Sequence, residues 1–391
     1  MSRLKAQRPE RQDTRMFEFL FKRSSCPIGL DIGHTTIKMI QLSQRNESWR
    51  VDAADQVHLD PQLEAGSDPW RSAVAEALVH ILQHGRFSGR QVVSCLPGDM
   101  LKIKSLRLDS LDPTRIETMI ASEVAPRLGL DARTDEIRYS IAGSVFQGDD
   151  IKNEVIFFGI RRRQLAAHIE MLERAGLEPV SIETVPGALF RNFQATLRRR
   201  EDKDVVSVFV DLGAKYTTVI IGRGQSVAFV KQIPLAGRQF NEQVAQRLGI
   251  SLEETMRLRS RLHEDQDDGV DADTVRAVRD AMSASVEELA HEISLCFKYY
   301  AVTFRGQRPG EAVFAGGEAY EPSLMDALKR HLGVAIRIAE PLRGFDLSRT
   351  GFDRRYNPQL CEWTIAVGLA LKGFDQADNP CQQPQLTGSD V

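Results

Sequence analysis

Cysteine is sparse and scattered. The five cysteines among 391 residues are Cys26, Cys95, Cys296, Cys361 and Cys381, and no two form a C-x-x-C pair. That pattern excludes a disulfide framework and leaves free thiols in a reducing compartment. No apolar window reaches the ~18–20 residues a membrane span needs. The N-terminus is polar and basic rather than basic-then-apolar, so it does not read as a secretory signal; Met16 is an alternative start position. Positive charge is not in excess: 51 Lys and Arg against 54 Asp and Glu leave a net charge of −3, which argues against nucleic acid as a partner. A G-x-S-x-G elbow and a Walker A stretch are both missing, which sets aside serine-hydrolase and P-loop chemistry. What remains, at 42% hydrophobic and 27% charged residues, is a soluble globular chain. At ~150 residues per domain, its length predicts two or three domains.

Two stretches carry the chemical signal. Asp31-Ile-Gly-His-Thr-Thr-Ile-Lys38 and Asp211-Leu-Gly-Ala-Lys-Tyr-Thr-Thr218 each follow an apolar approach, Pro27–Leu30 and Val205–Val210. Each runs on into a second apolar strand, so each predicts a β-hairpin with a tight Asp-x-Gly turn. Gly33 and Gly213 have no Cβ, which lets backbone N–H groups approach a phosphate. Asp31 and Asp211 are positioned to face each other and hold hydrated Mg²⁺, an ion that keeps its waters and needs few carboxylates. Lys38 supplies a point charge for phosphate oxygens. Asp and Gly are also common turn residues, so either stretch alone reads as a simple turn, and the nucleotide reading comes from the two together with the glycine pair. A third signal is Val313-Phe-Ala-Gly-Gly-Glu-Ala319, where Gly316 and Gly317 end a strand and let backbone lie flat against an adenosine.

The rest of the chain organises around these three points. Residues 1–25 predict a flexible extension with a short apolar-basic segment, Met16–Arg23. Residues 26–98 and 182–204 predict one half-domain, interrupted by an α+β insert over 99–181. Residues 205–375 predict the second half-domain, and 376–391 a disordered tail. Within the insert, Asp112-Pro113 starts a helix whose apolar face runs to Pro126. Arg257 and Arg259 read as a solvated helix face rather than an adenine stack.

The order of phosphate hairpin, phosphate hairpin and glycine pair resembles the actin/Hsp70/sugar-kinase ATPase superfamily. More closely, the chain is similar to the PilM family of type IV pilus assembly proteins, which are FtsA-like. Carrying that resemblance are Met16-Phe-Glu-Phe-Leu-Phe-Lys, Ile28-Gly-Leu-Asp-Ile-Gly33, Ala175-Gly-Leu-Glu-Pro179, Ile233-Pro-Leu-Ala-Gly237, Leu248-Gly-Ile-Ser-Leu-Glu-Glu254 and Ile365-Ala-Val-Gly-Leu-Ala-Leu371. The resemblance implies an α/β fold of two RNase H-like half-domains around a nucleotide cleft. It implies ATP and Mg²⁺ on Asp31, Gly33, His34, Thr35, Thr36 and Lys38, with Asp211, Gly213, Thr217 and Thr218 opposite and Gly316 and Gly317 at the adenosine. It also implies a partner, the N-terminal cytoplasmic peptide of a PilN-like inner-membrane protein. That peptide would dock between the first subdomain and the insert, with other pilus assembly proteins and self-association beyond it. Such a protein is cytoplasmic and attached to the inner membrane through its partners.

Two departures stand out. Ala125-Pro-Arg-Leu-Gly-Leu130 replaces the Pro-Phe-Pro-like run of relatives, and His34 stands where Ser or Thr is usual. Leu101, Ile103, Leu106, Ile116 and Ile120 are the expected groove lining. Hydrolysis needs a residue that positions water. Glu183 is the one candidate, and its setting predicts absent or slow turnover. The alternatives are a small-molecule kinase, an FtsA-like division protein and a general secretion protein of the same body.

Overall fold

Apolar alternation broken by Asp-x-Gly folds twice into the same five-stranded plan. The computed structural model describes residues 26–45, 48–147, 150–194, 205–263, 270–304, 309–352 and 360–378. The Met16–Arg23 segment, the linker before 205 and the tail from 379 lie outside the described residues.

In the first half, β1 (Ile28–Ile32), β2 (Thr36–Arg45) and β3 (Ser48–His58) form an antiparallel meander. Helix α1 (Asp68–His84) then returns the chain to β4 (Gln91–Cys95), which lies parallel to β1. Ser67 caps α1 by accepting from the Trp70 N–H, and Pro69 sits in the first turn, where its missing donor costs nothing. One α1 face buries Trp70, Val74, Leu78 and Ile81 on the sheet. Each such side chain contributes ~1.5–3 kcal/mol by leaving water.

The insert follows. Strands β5 (Lys102–Leu108), β6 (Glu136–Gln147) and β7 (Asp150–Ile160) form a sheet in the order β5-β7-β6. Helix α2 (Pro113–Met119), capped by Asp112, continues through a π-turn (Ile120–Val124) into Ala125–Leu128. The helical run therefore passes Pro126 instead of stopping there. The π-turn breaks the i→i−4 ladder just ahead of the ring, so Pro126 enters as a first-turn residue.

Helix α3 (Arg162–Arg174) leads to β8 (Glu178–Glu183), which pairs in parallel with β4. Met171, Leu172 and Leu177 belong to the first half's core. The insert sheet thus ends at Ile160, and the return to the first half comes earlier than the expected boundary at 181.

Helix α4 (Val185–Gln194) then crosses to the second half, where Phe190 and Phe193 pack against Phe209 of β9 (Val206–Leu212). With β10 (Thr217–Arg223), β11 (Ser226–Ile233), β12 (Glu311–Ala315) and β13 (Ala335–Ile338), β9 builds the order β11-β10-β9-β12-β13. The first sheet has the matching order β3-β2-β1-β4-β8. Helices α5 (Gly237–Leu248), α6 (Leu252–His263), α7 (Ala272–Phe304) and α8 (Pro322–Leu332) complete this half. Ser251 and Glu254 form a capping box ahead of α6.

The last helix, α9 (Thr364–Asp378), does not stay with the second half as the 205–375 reading expected. It packs on β1, β2, β4 and α4. Glycine makes that approach feasible: a Cβ at Gly368 would stand 2.0 Å from the Ala188 carbonyl oxygen. Each half therefore lends a helix to the other, and α4 and α9 lie together behind the cleft. The helix also runs to Asp378, three residues into the stretch read as a disordered tail.

Candidate functional site

The sheet ends that carry the two Asp-x-Gly turns enclose a cleft of about 500 Å³. From the first half it is lined by Asp31, Gly33, His34, Thr35, Thr36 and Lys38. Asp211, Gly213 and Thr218 come from the second half, and Gly316 and Gly317 from the end of β12. Thr217 is the expected residue that turns away. Side chains alternate along β10, so Thr217 points into the core and donates to the Leu235 carbonyl at 2.8 Å.

The two turns are built alike. The Gly33 N–H donates to the Thr36 carbonyl at 3.0 Å, and the Gly213 N–H to the Tyr216 carbonyl at 3.2 Å. In β-register, Asp31 stands opposite Lys38, and Lys38 opposite Gln56. Asp211 stands opposite Thr218, and Thr218 opposite Gln232. Gln56 and Gln232 both line the cleft, and the sequence reading missed both.

Asp31 and Asp211 are buried. Desolvation raises the Asp31 pKa, with Lys38 opposing. Desolvation, then the nearby Asp31 charge, push Asp211 up to about 7, and Lys38 offsets only part of this. Two such carboxylates repel, and a divalent cation between them relieves the repulsion. Among the described residues no cluster of three or more His, Cys, Asp or Glu could hold a metal ion. A cage of protein ligands is therefore not on offer there, whereas a pair of carboxylates with retained waters suits Mg²⁺.

Directly beside the Asp211 carboxylate the cleft has a glycine turn. Gly316 has φ 89°, and a Cβ there would meet the Leu212 carbonyl at 2.4 Å. At Gly317 the Cβ position is open, with nothing within 4 Å. Arg259 of α6 lines the same cavity and is 3% exposed, so it is not on a solvated face. It pairs with Glu318 and Glu321, donates to Asn241 Oδ1 at 2.7 Å and lies over the Phe240 ring at 5.5 Å. Arg257 does stay exposed, paired with Glu253. The signal that could have separated them is the spacing of Met256, Arg259 and Ser260, which one helix face turns into the cleft together.

Glu183 is not among the lining residues. It accepts from Lys372 Nζ at 2.7 Å and from Arg191 at 3.0 Å. Burial alone would raise its pKa, but those two cations and the Thr184 N–H hold it below the usual range. It is an ion-pair joint between β8, α4 and α9, and Cys95 of β4 stands in register between it and Asp31.

The expected partner-groove residues divide. Leu101 and Ile103 line a second groove of about 460 Å³ between β5 and β11. Ile116 is buried in the insert's own core with Val155 and Phe157, and Leu106 and Ile120 pack against that core. The five do not form one surface.

Comparison with known proteins fits this geometry. The model of type IV pilus assembly protein PilM matches residues 29–374. The chain belongs to the PilM family. A solved PilM–PilN type IV pilus biogenesis complex superposes with a TM-score of 0.73 at 22% identity, covering 89% of this chain and 98% of that one. The ethanolamine utilization protein EutJ from Carboxydothermus hydrogenoformans follows at TM-score 0.52 and 15% identity, covering 91% and 96%. Cell division protein FtsA of Bacillus subtilis is 23% identical over 189 residues, 44% of this chain. The chain spans 41% of the length of that curated relative. The fold is thus the actin-like ATPase fold, and the PilM family places the chain in type IV pilus assembly.

Proposed function

We propose that the chain binds Mg²⁺–ATP between its two hairpins and works as a nucleotide-responsive adaptor in type IV pilus assembly. The observation that carries this reading is the pair of buried, mutually repelling carboxylates in one cleft that Gly316 and Gly317 also line, Gly316 directly beside Asp211. Asp31 and Asp211 would hold the hydrated ion, Lys38 and the turn N–H groups the phosphates, and the Gly316–Gly317 turn the adenosine. When bound, the metal nucleotide supplies charge neutralisation across the cleft. Everything else belongs to the chain: burial of the carboxylates, orientation of the N–H groups and exclusion of bulk water. Turnover is absent or slow, because Glu183 is engaged by Lys372 and Arg191.

The partner in this reading is the N-terminal cytoplasmic peptide of a PilN-like inner-membrane protein, docked on the first half and the insert. The solved PilM–PilN complex of the same fold supports it. No described helix is long and apolar enough to cross a membrane, so attachment to the inner membrane would run through that partner from the cytoplasmic side.

Calorimetric titration with Mg²⁺–ATP, with and without a synthetic PilN-type N-terminal peptide, tests both parts. Saturable nucleotide binding that disappears in Asp31→Asn and Asp211→Asn supports the cleft. Nucleotide binding that survives both substitutions rejects it. Peptide binding indifferent to nucleotide would leave an adaptor that does not respond to ATP.

A further inference from the structure

The segment that links the first half to the insert carries an acid with no place in the reading above. Asp99 follows Pro97-Gly98 at the exit of β4, three residues before β5 begins. One of its oxygens, Oδ2, accepts from His34 Nε2 at 2.9 Å and from Lys215 Nζ at 2.8 Å. His34 is on the tip of the β1–β2 hairpin and Lys215 on the tip of the β9–β10 hairpin. A single carboxylate oxygen therefore ties both phosphate turns together. The His34 and Tyr216 rings, 5.9 Å apart, close the same mouth.

His34 and Lys215 line the cleft, while Asp99 lines the groove between β5 and β11. Gly98, Tyr216 and Gln232 are shared by the two cavities. Asp99 stands in the wall between them.

We propose that Asp99 is a resident anion displaced by the terminal phosphate of a bound nucleoside triphosphate, so that cleft occupancy is passed to the root of the insert. The proposal rests on the nucleotide reading of the cleft. A phosphate oxygen and a carboxylate oxygen accept the same charge-assisted bonds, and a triphosphate brings more charge than one carboxylate. The Asp99 bridge keeps some solvent contact, with side-chain exposures of 17% for Asp99, 20% for His34 and 33% for Lys215, but Tyr216 also hydrogen-bonds Asp99, so displacing it takes the larger charge of a triphosphate. Once released, Asp99 no longer anchors Pro97–Leu101, and the first strand of the insert is free to shift along β11. A diphosphate, lacking the third phosphoryl group, leaves the bridge in place.

The test is the ratio of Mg²⁺–ATP to Mg²⁺–ADP affinity in the full chain, read by calorimetry. Asp99→Asn removes the competitor and is expected to raise that ratio about ten-fold, the equivalent of ~1.4 kcal/mol. Lys215→Met removes a phosphate contact while keeping the stem, and is expected to lower the ratio by a similar factor. Opposite signs support displacement. Shifts of the same sign, as a purely structural bridge would give, overturn it, and so does a ratio unmoved by Asp99→Asn. Amide exchange across 97–108 should quicken with the triphosphate and not with ADP; equal exchange with both also overturns it. If the wild-type chain binds neither nucleotide, the cleft reading falls and this falls with it. Nucleotide binding with an unmoved ratio sinks the displacement alone.

Discussion

The two halves share a sheet order and a turn geometry, yet differ at the two places where chemistry is decided. Opposite its turn aspartate the first hairpin has Lys38, whereas the second has Thr218. At the exit of its central parallel strand the first half runs into Pro97-Gly98-Asp99 and the insert, whereas the second runs into Gly316-Gly317. The shared scaffold makes a symmetric clamp. The departures make it directional, with a cation and the insert on one side and a glycine turn on the other. They also set the electrostatics, because Asp31 has a counter-charge in register and Asp211 has none.

The largest test of that contrast is Asp211→Asn against Asp31→Asn. Either should weaken Mg²⁺–ATP binding by ~100-fold, as expected when a group orienting a metal's waters is lost. Their effects on the free protein should differ. Asp211 holds its proton up to about pH 7 when folded, against 3.8 ordinarily, so folding takes up a proton between those values and stability falls as pH rises through that window. The total is about 4 kcal/mol at most. Asp211→Asn should flatten that slope in denaturant titrations, and Asp31→Asn should do so less because Lys38 already offsets its charge. Identical pH profiles would show that the two turns are electrostatically equivalent.

Lys38→Thr gives the first hairpin the pairing of the second. Asp31 then sits buried without the cation that opposes it across the strands, and the free protein should lose about 1.4 kcal/mol above pH 7, the equivalent of one unit of carboxylate pKa. Added Mg²⁺ should recover part of that loss, read as a rise in melting temperature. An unchanged melting curve would mean that solvent already supplies what Lys38 is held to supply.

Much of this was legible in the chain because the informative features are local. Asp-x-Gly turns, period-two strands and a glycine pair each act over a few residues, and together they located the cleft, its two carboxylates and the fold class. What was missed depends on register or on distant packing. Gln56 reaches the cleft only through a ladder that slips at Gln41/Leu42, and Gln232 through one that slips at Ile221/Gly222; a bulge cannot be counted from sequence. Arg259 looked solvated because its partners, Glu318 and Glu321, are about sixty positions away. The exchange of α4 and α9 between halves was hidden for the same reason, since an apolar helix does not say which sheet it covers. Alternation decided Thr217 against Thr218, and a strand starting one residue later would have reversed it.

The glycine seat offers a finer comparison within one turn. Gly316→Ala forces a Cβ against the Leu212 carbonyl and a left-handed backbone on alanine, which should cost ~2–3 kcal/mol. Gly317→Ala meets no atom within 4 Å and should move stability by less than ~1 kcal/mol. If the base lies on this turn, Gly317→Ala should still weaken ATP severalfold with the melting temperature unchanged. No loss of affinity would place the base elsewhere in the cleft.

The smallest expected effect on nucleotide chemistry is at Glu183, where the two sheets differ once more. The last strand of the first sheet ends in an acid bound by Lys372 and Arg191, and that of the second ends at Ile338 beside a buried Ala339. Glu183→Gln should lose about 1–3 kcal/mol of stability near neutral pH, because two partly buried cations lose their carboxylate. Its folded pKa lies below the ordinary value, so that contribution is present above the ordinary glutamate range and disappears as pH falls through the lowered one. The wild-type and variant stability curves should therefore converge in acid. Nucleotide affinity and any turnover should stay within a factor of about two, since Cys95 stands in register between Glu183 and the cleft, with its thiol on Asp31. A ten-fold fall in turnover with stability intact would instead put Glu183 over the attacking water, and the first sheet would then carry the catalytic acid as well as the lysine.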